Sequence, residues 1–157
     1  MNKRTIYLLL FAAAVMTACV APRSDVQSAS LTSVQPLDRS QTWQLVAMRG
    51  KEMKLQAGVA PTTIVFNSEA GSYRGFAPCN TYYGNYTAQL LSQEADGDHY
   101  ELSLKLEGSG SIGCPDAIMN AEGRYLSLLL KADGMLLTAY TLTLTQHGKE
   151  ILKYELQ

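Results

Sequence analysis

The side chains of this chain that could do chemistry are few. Its three cysteines are Cys19, Cys79 and Cys114, and its two histidines are His99 and His147. A thiol nucleophile needs an adjacent base and a partner that orients the base, and no nucleophile motif surrounds Cys79. Neither histidine belongs to a cysteine, histidine and aspartate spacing typical of zinc sites. We therefore expect no catalytic residues, no metal and no cofactor, and we expect both histidines to be exposed.

A calcium loop is the other metal site to consider. Asp96 and Asp98 lie close together, and Glu107 is where an EF-hand loop starting at Asp96 would place its final glutamate. Tyr100 and Leu102 occupy positions that such a loop gives to oxygen ligands. The pattern predicts an ordinary turn instead.

Residues 1–18 have the anatomy of a removable signal peptide. Lys3 and Arg4 form a basic start, and an apolar run follows from Ile6 to Val15. A helix of that length spans about 15 Å, which is half the hydrocarbon core of a bilayer. The run therefore predicts an export signal and not a membrane span.

The end of this signal, Met16-Thr17-Ala18-Cys19, resembles a bacterial lipobox. The resemblance implies cleavage before Cys19 and a lipid thioether on its sulfur, which would anchor the chain to a membrane. Val20 stands where an aspartate would resemble an inner-membrane retention signal, so we expect the outer membrane of a cell envelope. The alternative is an ordinary secretory signal with an incidental cysteine.

If Cys19 carries lipid, Cys79 and Cys114 remain as a pair. Exported proteins keep disulfides, and this bond would close a loop worth about 4 kcal/mol on the chain-entropy model. The alternative is two buried free thiols that act as small apolar groups.

Residues 19–41 predict a flexible tether, because they are rich in Ser, Gln, Pro and Ala and poor in aromatic residues. Removal of Lys3 and Arg4 leaves 11 basic against 14 acidic side chains, a formal net charge of −3. The mature chain contains no run of basic residues. This argues against a nucleic-acid partner and against docking on anionic lipid by charge alone.

Residues 42–157 predict one β-rich domain with a single helix. Alternating side chains or β-prone residues indicate strands over 42–47, 53–55, 62–66, 72–77, 82–87, 99–106, 135–137, 141–145 and 150–156. Gly75 lies inside one of them, which usually marks a bulge or a close approach of backbone. Apolar residues at helical spacing indicate a helix over about 115–131, with Pro115 first, Lys131 in its last turn and Gly134 beyond.

Several separated residues together resemble the META domain family, which includes the heat-shock-induced envelope protein HslJ. The best part is the run Gly75-Phe76-Ala77-Pro78-Cys79-Asn80-Thr81-Tyr82-Tyr83-Gly84-Asn85-Tyr86. The opening Trp43-Gln44-Leu45, the cysteine Cys114, the helix glutamate Glu122 and the closing Leu142-Thr143-Leu144 also match. Pro78 departs from the family, which often has glycine there, and proline cannot copy a glycine with positive φ.

The resemblance implies a mainly β (α+β) fold, a strongly curved, barrel-like antiparallel sheet packed on one helix. It implies structural roles for Trp43, Gly75, Asn80, Tyr82, Gly84, Tyr86 and Glu122, and an envelope or stress-related role without a settled activity. Glu122 has two interpretations. It is either a surface carboxylate or a buried acid that bonds backbone N–H groups near Asn80 and fixes the helix to the 79–86 turn.

A cluster of five tyrosines, Tyr73, Tyr82, Tyr83, Tyr86 and Tyr100, predicts core or strand-face packing, with an exposed recognition patch as the alternative. For function we expect a monomeric, non-enzymatic lipoprotein that acts as a binding or structural module for an unknown envelope protein or ligand. The alternatives are an inhibitor of an exported lysozyme or protease and a carrier of a small apolar ligand. An inhibitor should present a protruding loop with a polar or acidic tip, and a carrier an open apolar cavity.

Overall fold

Nine strands and one helix form the part of the chain that the structure describes, and most of the strands follow the alternation of apolar and polar side chains. The computed structural model describes residues 41–53 and 60–157. The elements are β1 (Trp43–Met48), β2 (Lys51–Glu52), β3 (Thr63–Asn67), β4 (Ser72–Phe76), β5 (Thr81–Glu94), β6 (Gly97–Ser109), α1 (Asp116–Leu129), β7 (Gly134–Leu137), β8 (Thr141–Gln146) and β9 (Lys149–Leu156).

The sheet is antiparallel and closes on itself. Strands β3 to β9 pair in chain order, and β1 pairs with both β3 and β9. These eight strands make a barrel, and the two-residue β2 extends the end of β1 at Ala47 and Met48. The predicted mainly β, barrel-like sheet with one helix is therefore confirmed. Closure removes the sheet edges that would otherwise recruit other chains.

The inside of the barrel is filled by large side chains. Those with almost no exposed surface are Trp43, Tyr73, Tyr82, Tyr125, Tyr154, Phe66, Ile64, Leu129, Leu142, Leu144 and Leu152. Buried residues of β6 and β7 belong to the same cluster, so the eight barrel strands and α1 share one core. A barrel of this strand number is just wide enough to be filled by side chains.

Helix α1 covers the end of the barrel at which β4 turns into β5. Its buried residues are Glu122, Tyr125, Leu128 and Leu129, which form one face. Pro115 precedes the helix as its N-cap residue. The position suits proline because the first N–H groups of a helix have no partner within it.

The helix is shorter than predicted at both ends. It ends at Leu129, and the N–H groups of Lys131 and Ala132 donate to the carbonyls of Leu128 and Leu129 three residues back. The chain thus tightens into a final turn after Leu129, and Lys131 lies past the end of the helix and not in its last turn. Gly134 lies beyond the helix, as predicted, and begins β7 opposite Thr145.

The largest error in the predicted strands is β5, which runs to Glu94 and not to residue 87. Its second half has no inward apolar face, so no alternation marked it. Strand β6 likewise continues to Ser109, beyond the predicted end at residue 106. The strand predicted at 53–55 is wrong at its first residue, because β2 ends at Glu52 before Met53; residues 54 and 55 lie outside the described part.

The predicted signal peptide, Cys19 and all of the tether before Gln41 lie outside the described residues. No helix within the described residues is both long and apolar enough to cross a bilayer.

Candidate functional site

The buried carboxylate of Glu122 holds α1 against the turn between β4 and β5. Its Oε2 accepts hydrogen bonds from the backbone N–H of Cys79 at 3.0 Å and of Asn80 at 2.7 Å. Its Oε1 accepts a third from Nδ2 of Asn80 at 3.0 Å. Glu122 is 6% exposed. The hypothesis of a buried acid is confirmed, and the surface alternative is wrong.

Asn80 carries this arrangement into the segment between β6 and α1. Its Oδ1 accepts from the backbone N–H of Ile112 at 2.8 Å, and its Nδ2 donates to the Ile112 carbonyl at 3.2 Å. These two bonds fix which way the amide of Asn80 points. In the flipped amide, Nδ2 would face the N–H of Ile112 and Oδ1 would face its carbonyl oxygen, so neither bond could form.

A disulfide joins the same two segments. Cys79 and Cys114 are bonded, with 2.04 Å between sulfurs and 6.2 Å between Cα atoms. The predicted disulfide is confirmed. Neither sulfur can act as a nucleophile while it is bonded, because the nucleophile is a free thiolate. The disulfide, Asn80 and Glu122 together form what we call the lock, a covalent and hydrogen-bonded junction of the β4–β5 turn, the 110–114 segment and α1.

A second buried network consists of three tyrosine hydroxyls. Tyr82 donates to the carbonyl of Thr63 at 2.8 Å. Because a hydroxyl has one hydrogen, Tyr82 must accept from Tyr125, whose oxygen is 2.5 Å away. Tyr125 in turn accepts from Tyr154 at 3.2 Å. The chain of bonds therefore runs in one direction, from β9 through α1 to β5 and β3.

These phenols stay protonated in the folded protein. Burial raises the pKa of Tyr125 to about 12. Burial also raises the pKa of Tyr82 and of Tyr154 well above the ordinary value for tyrosine. A general base needs a pKa near the working pH, so this network serves packing and orientation and does not move protons at neutral pH.

Two glycines lie under tyrosine rings inside the barrel. Gly75 is directly opposite Tyr82, and Gly84 is directly opposite Tyr73. A Cβ added at Gly75 would lie 2.6 Å from Cζ of Tyr82, and one added at Gly84 would lie 2.9 Å from Cζ of Tyr73. The predicted close approach at Gly75 is thus confirmed, and the pairing there has no bulge. A ring that covers a glycine on the neighbouring strand helps to fix the register of the sheet.

The same pairing occurs once on the outer face. Tyr83 is opposite Gly108, where an added Cβ would lie 2.9 Å from Cζ of Tyr83. Here the other side of the ring faces solvent, and Tyr83 is 58% exposed. An open groove of about 580 Å³ runs past this ring, with Arg74, Asn85 and Glu107 among its polar lining.

The second half of β5 extends past its neighbour β4. That neighbour pairs with it only as far as Asn85, and within residues 41–53 and 60–157 the remainder pairs with β6 alone. From Thr87 to Glu94 the side chains on both faces are exposed or half-exposed. We call residues 87–96 the arm, and its tip is acidic, with Glu94 and Asp96 beside Asp98 at the start of β6.

His99 lies at this tip. Its Nε2 is 3.1 Å from Oδ1 of Asp96. This hydrogen bond raises the pKa of His99 and lowers that of Asp96. Ligand atoms of Glu94, Asp96 and His99 lie within 4.8 Å of one another, but the two carboxylates are exposed. The predicted turn at this site is confirmed, since the chain enters β6 at Gly97 where a calcium loop would continue.

A groove of about 700 Å³ lies between α1 and the turn that joins β1 to β2. Its lining is Met48, Arg49, Lys51, Met119, Asn120, Gly123, Arg124, Ser127 and Leu128. The sequence has no run of basic residues, but the fold brings three cations, Arg49, Lys51 and Arg124, to this one groove.

Comparison with known proteins decides the family. The profile of the META domain matches residues 35–157. The chain belongs to the META domain family.

Solved structures agree with this fold. The META domain chain is similar to a protein from Burkholderia xenovorans solved by NMR, at 25% identity and a TM-score of 0.55, over 78% of this chain and 85% of that one. It is also similar in fold to a DUF4847 family protein from Bacteroides vulgatus, at 14% identity and a TM-score of 0.52, over 74% and 92% of the two chains. No curated protein matches it significantly.

The residues that the resemblance had named take structural positions in the META domain. Asn80 and Glu122 belong to the lock. Gly75 lies opposite Tyr82, and Gly84 lies opposite Tyr73, in the two pairs of glycine and tyrosine inside the barrel. Trp43 is 1% exposed in β1. Tyr86 is half-buried, and its ring packs edge-on against Phe66 with 4.9 Å between centroids. The tyrosine cluster is therefore mostly core, as predicted, and Tyr83 is the exposed exception.

Three features of the META domain were not found from the sequence. The direction of the tyrosine chain depends on Tyr154, which contacts Tyr125 only after the barrel closes. The arm lacked a hydrophobic period. The groove cations come from a turn and from the solvent side of α1. A signal for the groove did exist, since Gly123 and Asn120 interrupt the exposed face of a helix with residues of low helix propensity.

Proposed function

We propose that this META domain chain is a lipid-anchored protein of the bacterial cell envelope, a non-enzymatic binding or structural module held at the outer membrane by lipid on Cys19. The observation that carries the proposal is the use of the cysteines. Cys79 and Cys114 are bonded to each other, which leaves Cys19, at the lipobox-like sequence, as the third. Disulfides persist in exported proteins and are rare in the cytosol.

The chemistry of the domain supports a role without catalysis. Its buried carboxylate Glu122 accepts three hydrogen bonds within the lock. Its buried phenols are held protonated, and its two cysteines are bonded. A site for reaction needs a nucleophile beside a base in a pocket, and the groups that would serve are already used to hold the fold.

Mass spectrometry of the protein from envelope membranes tests the anchor. The expected species starts at Cys19, lacks residues 1–18 and carries the mass of a diacylglyceryl group. The matched control is Cys19→Ser, which keeps the export signal and is expected to lack the mass of the diacylglyceryl group. A chain that retains residues 1–18 and carries no diacylglyceryl group on Cys19 would refute the proposal.

The arm favours inhibition of an exported hydrolase as a second candidate function. It extends beyond β4, has side chains exposed on both faces and ends in an acidic tip. Such a tip is complementary to the basic surface of a lysozyme, because opposite charges steer association. The test is inhibition of lysozyme and of exported proteases by the purified chain. Loss of inhibition in Asp96→Asn, with full inhibition in Glu101→Gln on the same strand pair, is the expected pattern.

The carrier alternative has less support. A carrier would need space inside the curved sheet, and the interior is occupied by the fully buried rings and leucines of the core.

A further inference from the structure

The groove beside α1 combines positive charge with an apolar floor. Its cations are Arg49, in the turn after β1, Lys51, at the start of β2, and Arg124, on the exposed face of α1. Among the described residues, no carboxylate lines the groove and no ion pair involves these three cations. The cations are therefore available to an anionic partner.

The apolar part comes from Met48, Met119 and Leu128. Leu128 is buried, Met48 is half-buried and Met119 is 38% exposed. Methionine side chains are flexible and polarisable, and they adapt to ligands of irregular shape. A ligand that fits this groove has a compact anionic group joined to an apolar portion.

Gly123 keeps the groove open. A Cβ at this helix position would meet no atom within 4 Å. Packing within the described residues therefore does not require a glycine here, although glycine destabilises a helix interior by about 1 kcal/mol relative to alanine.

The turn after β1 determines where Arg49 lies. Arg49 has φ of 50° and Gly50 has φ of 71°, as expected for a two-residue hairpin turn. His147 and Gly148 form a turn with the same signs, with φ of 50° and 73°. The turn therefore positions the Arg49 side chain at the groove, and it is the groove lining that favours a ligand.

We propose that this groove binds an anionic phospholipid, with the headgroup phosphate held by Arg49, Lys51 and Arg124 and the start of an acyl chain lying over Met48, Met119 and Leu128. Arginine matches the geometry of phosphate oxygens with paired donors. An acidic peptide would satisfy the cations and leave the apolar floor exposed to water, so a lipid fits the whole lining better. The proposal uses barrel and helix residues alone and does not require lipid on Cys19.

Vesicle binding tests the proposal without interference from the anchor. The protein is the chain from residue 19 with Cys19→Ser and its disulfide intact. We expect it to sediment with vesicles of phosphatidylcholine that contain phosphatidylglycerol, and not with phosphatidylcholine alone. Arg49→Gln and Arg124→Gln are each expected to weaken binding about fivefold. The matched control, Arg74→Gln on the outer face of β4, changes net charge equally and should bind like the unsubstituted protein.

Gly123→Trp separates groove binding from general attraction. It fills the groove with no change of charge, so we expect it to abolish sedimentation while the thermal midpoint remains high. Unchanged binding by Gly123→Trp, or equal weakening by Arg74→Gln, would overturn the proposal. So would binding of a polyglutamate peptide with the same variant pattern but without vesicle binding, since the groove would then belong to acidic protein segments. Inhibition of vesicle binding by equimolar inorganic phosphate would assign it to a free anion instead.

Discussion

Replacing Glu122 with glutamine tests the lock most directly, because the change keeps the size of the side chain and removes its charge. The carbonyl of the new amide can occupy the place of Oε2 and accept from the N–H groups of Cys79 and Asn80. Its NH₂ group must then face Nδ2 of Asn80, which is also a donor. Asn80 cannot turn its amide to correct this, since both ends are bonded to Ile112.

The magnitude follows from the three bonds. Two survive with a neutral acceptor, and each becomes weaker by about 1 kcal/mol, the difference between hydrogen bonds to charged and to neutral groups. The third is lost and leaves a buried donor without a partner, which costs about 1–3 kcal/mol. Burying an amide in place of a carboxylate offsets part of this loss. We expect the free energy of unfolding to fall by about 2 kcal/mol in Glu122→Gln.

Urea unfolding with the disulfide intact is the assay, and the fluorescence of the single tryptophan is the probe. Trp43 is 1% exposed in the core, so its emission reports unfolding of the barrel. With a typical urea slope, a loss of about 2 kcal/mol lowers the midpoint by about 1 M. The control Glu101→Gln lies on the exposed face of β6 and should change stability by less than about 0.5 kcal/mol. A change that small in Glu122→Gln, at an unaltered slope, would refute the three-bond lock.

Three further outcomes are expected. Gly84→Ala should destabilise the domain by about 2 kcal/mol through overpacking, because the new Cβ would lie 2.0 Å from the carbonyl oxygen of Lys105. Gly123→Ala has open space around it and should stabilise the domain by about 1 kcal/mol. Urea midpoints that move in the same direction in the two variants would contradict this pair of predictions. Tyr125→Phe should lose about 1–2 kcal/mol, since it removes both bonds of this hydroxyl; thermal unfolding measures the loss, and an unchanged midpoint would count against these bonds. The pKa of His99, measured by NMR, should lie above 6.5, its ordinary value, and should be lower in Asp96→Asn. The pair's contribution to stability is full between pH 3.8 and pH 6.5, is lost at higher pH through the raised pKa of His99, and is lost at lower pH through the lowered pKa of Asp96.

The barrel strands could be predicted where a strand has one face exposed to solvent and the other face buried. In β6, Tyr100, Leu102 and Leu104 are buried and the residues between them are exposed, and the sequence shows this alternation directly. The arm could not be predicted in the same way. Its residues from Thr87 onward are exposed on both faces, so the hydrophobic period that identifies a strand is absent although the backbone pairing continues.

The lock shows how far sequence reasoning reaches into a site. Glu122 stood out because a carboxylate beside an apolar helical stripe needs a partner if it is buried. The partner region near Asn80 came from the family resemblance. What the sequence could not supply was the part played by Ile112, whose contribution is a backbone N–H and carbonyl and is therefore independent of its side chain.

The distribution of chemistry in this domain indicates where its function lies. The functional groups best suited to catalysis are two cysteines, one buried carboxylate and three phenols. All of them are bonded to one another or to the backbone, and they face inward. Their shared effect is to hold α1 against the barrel, and α1 carries Arg124, which lines the same groove as Arg49. If the lock exists to keep this groove in shape, then Glu122→Gln should weaken vesicle binding even in buffer where the domain remains folded. Full binding by a folded Glu122→Gln would instead separate the two and leave the lock with a role in stability alone.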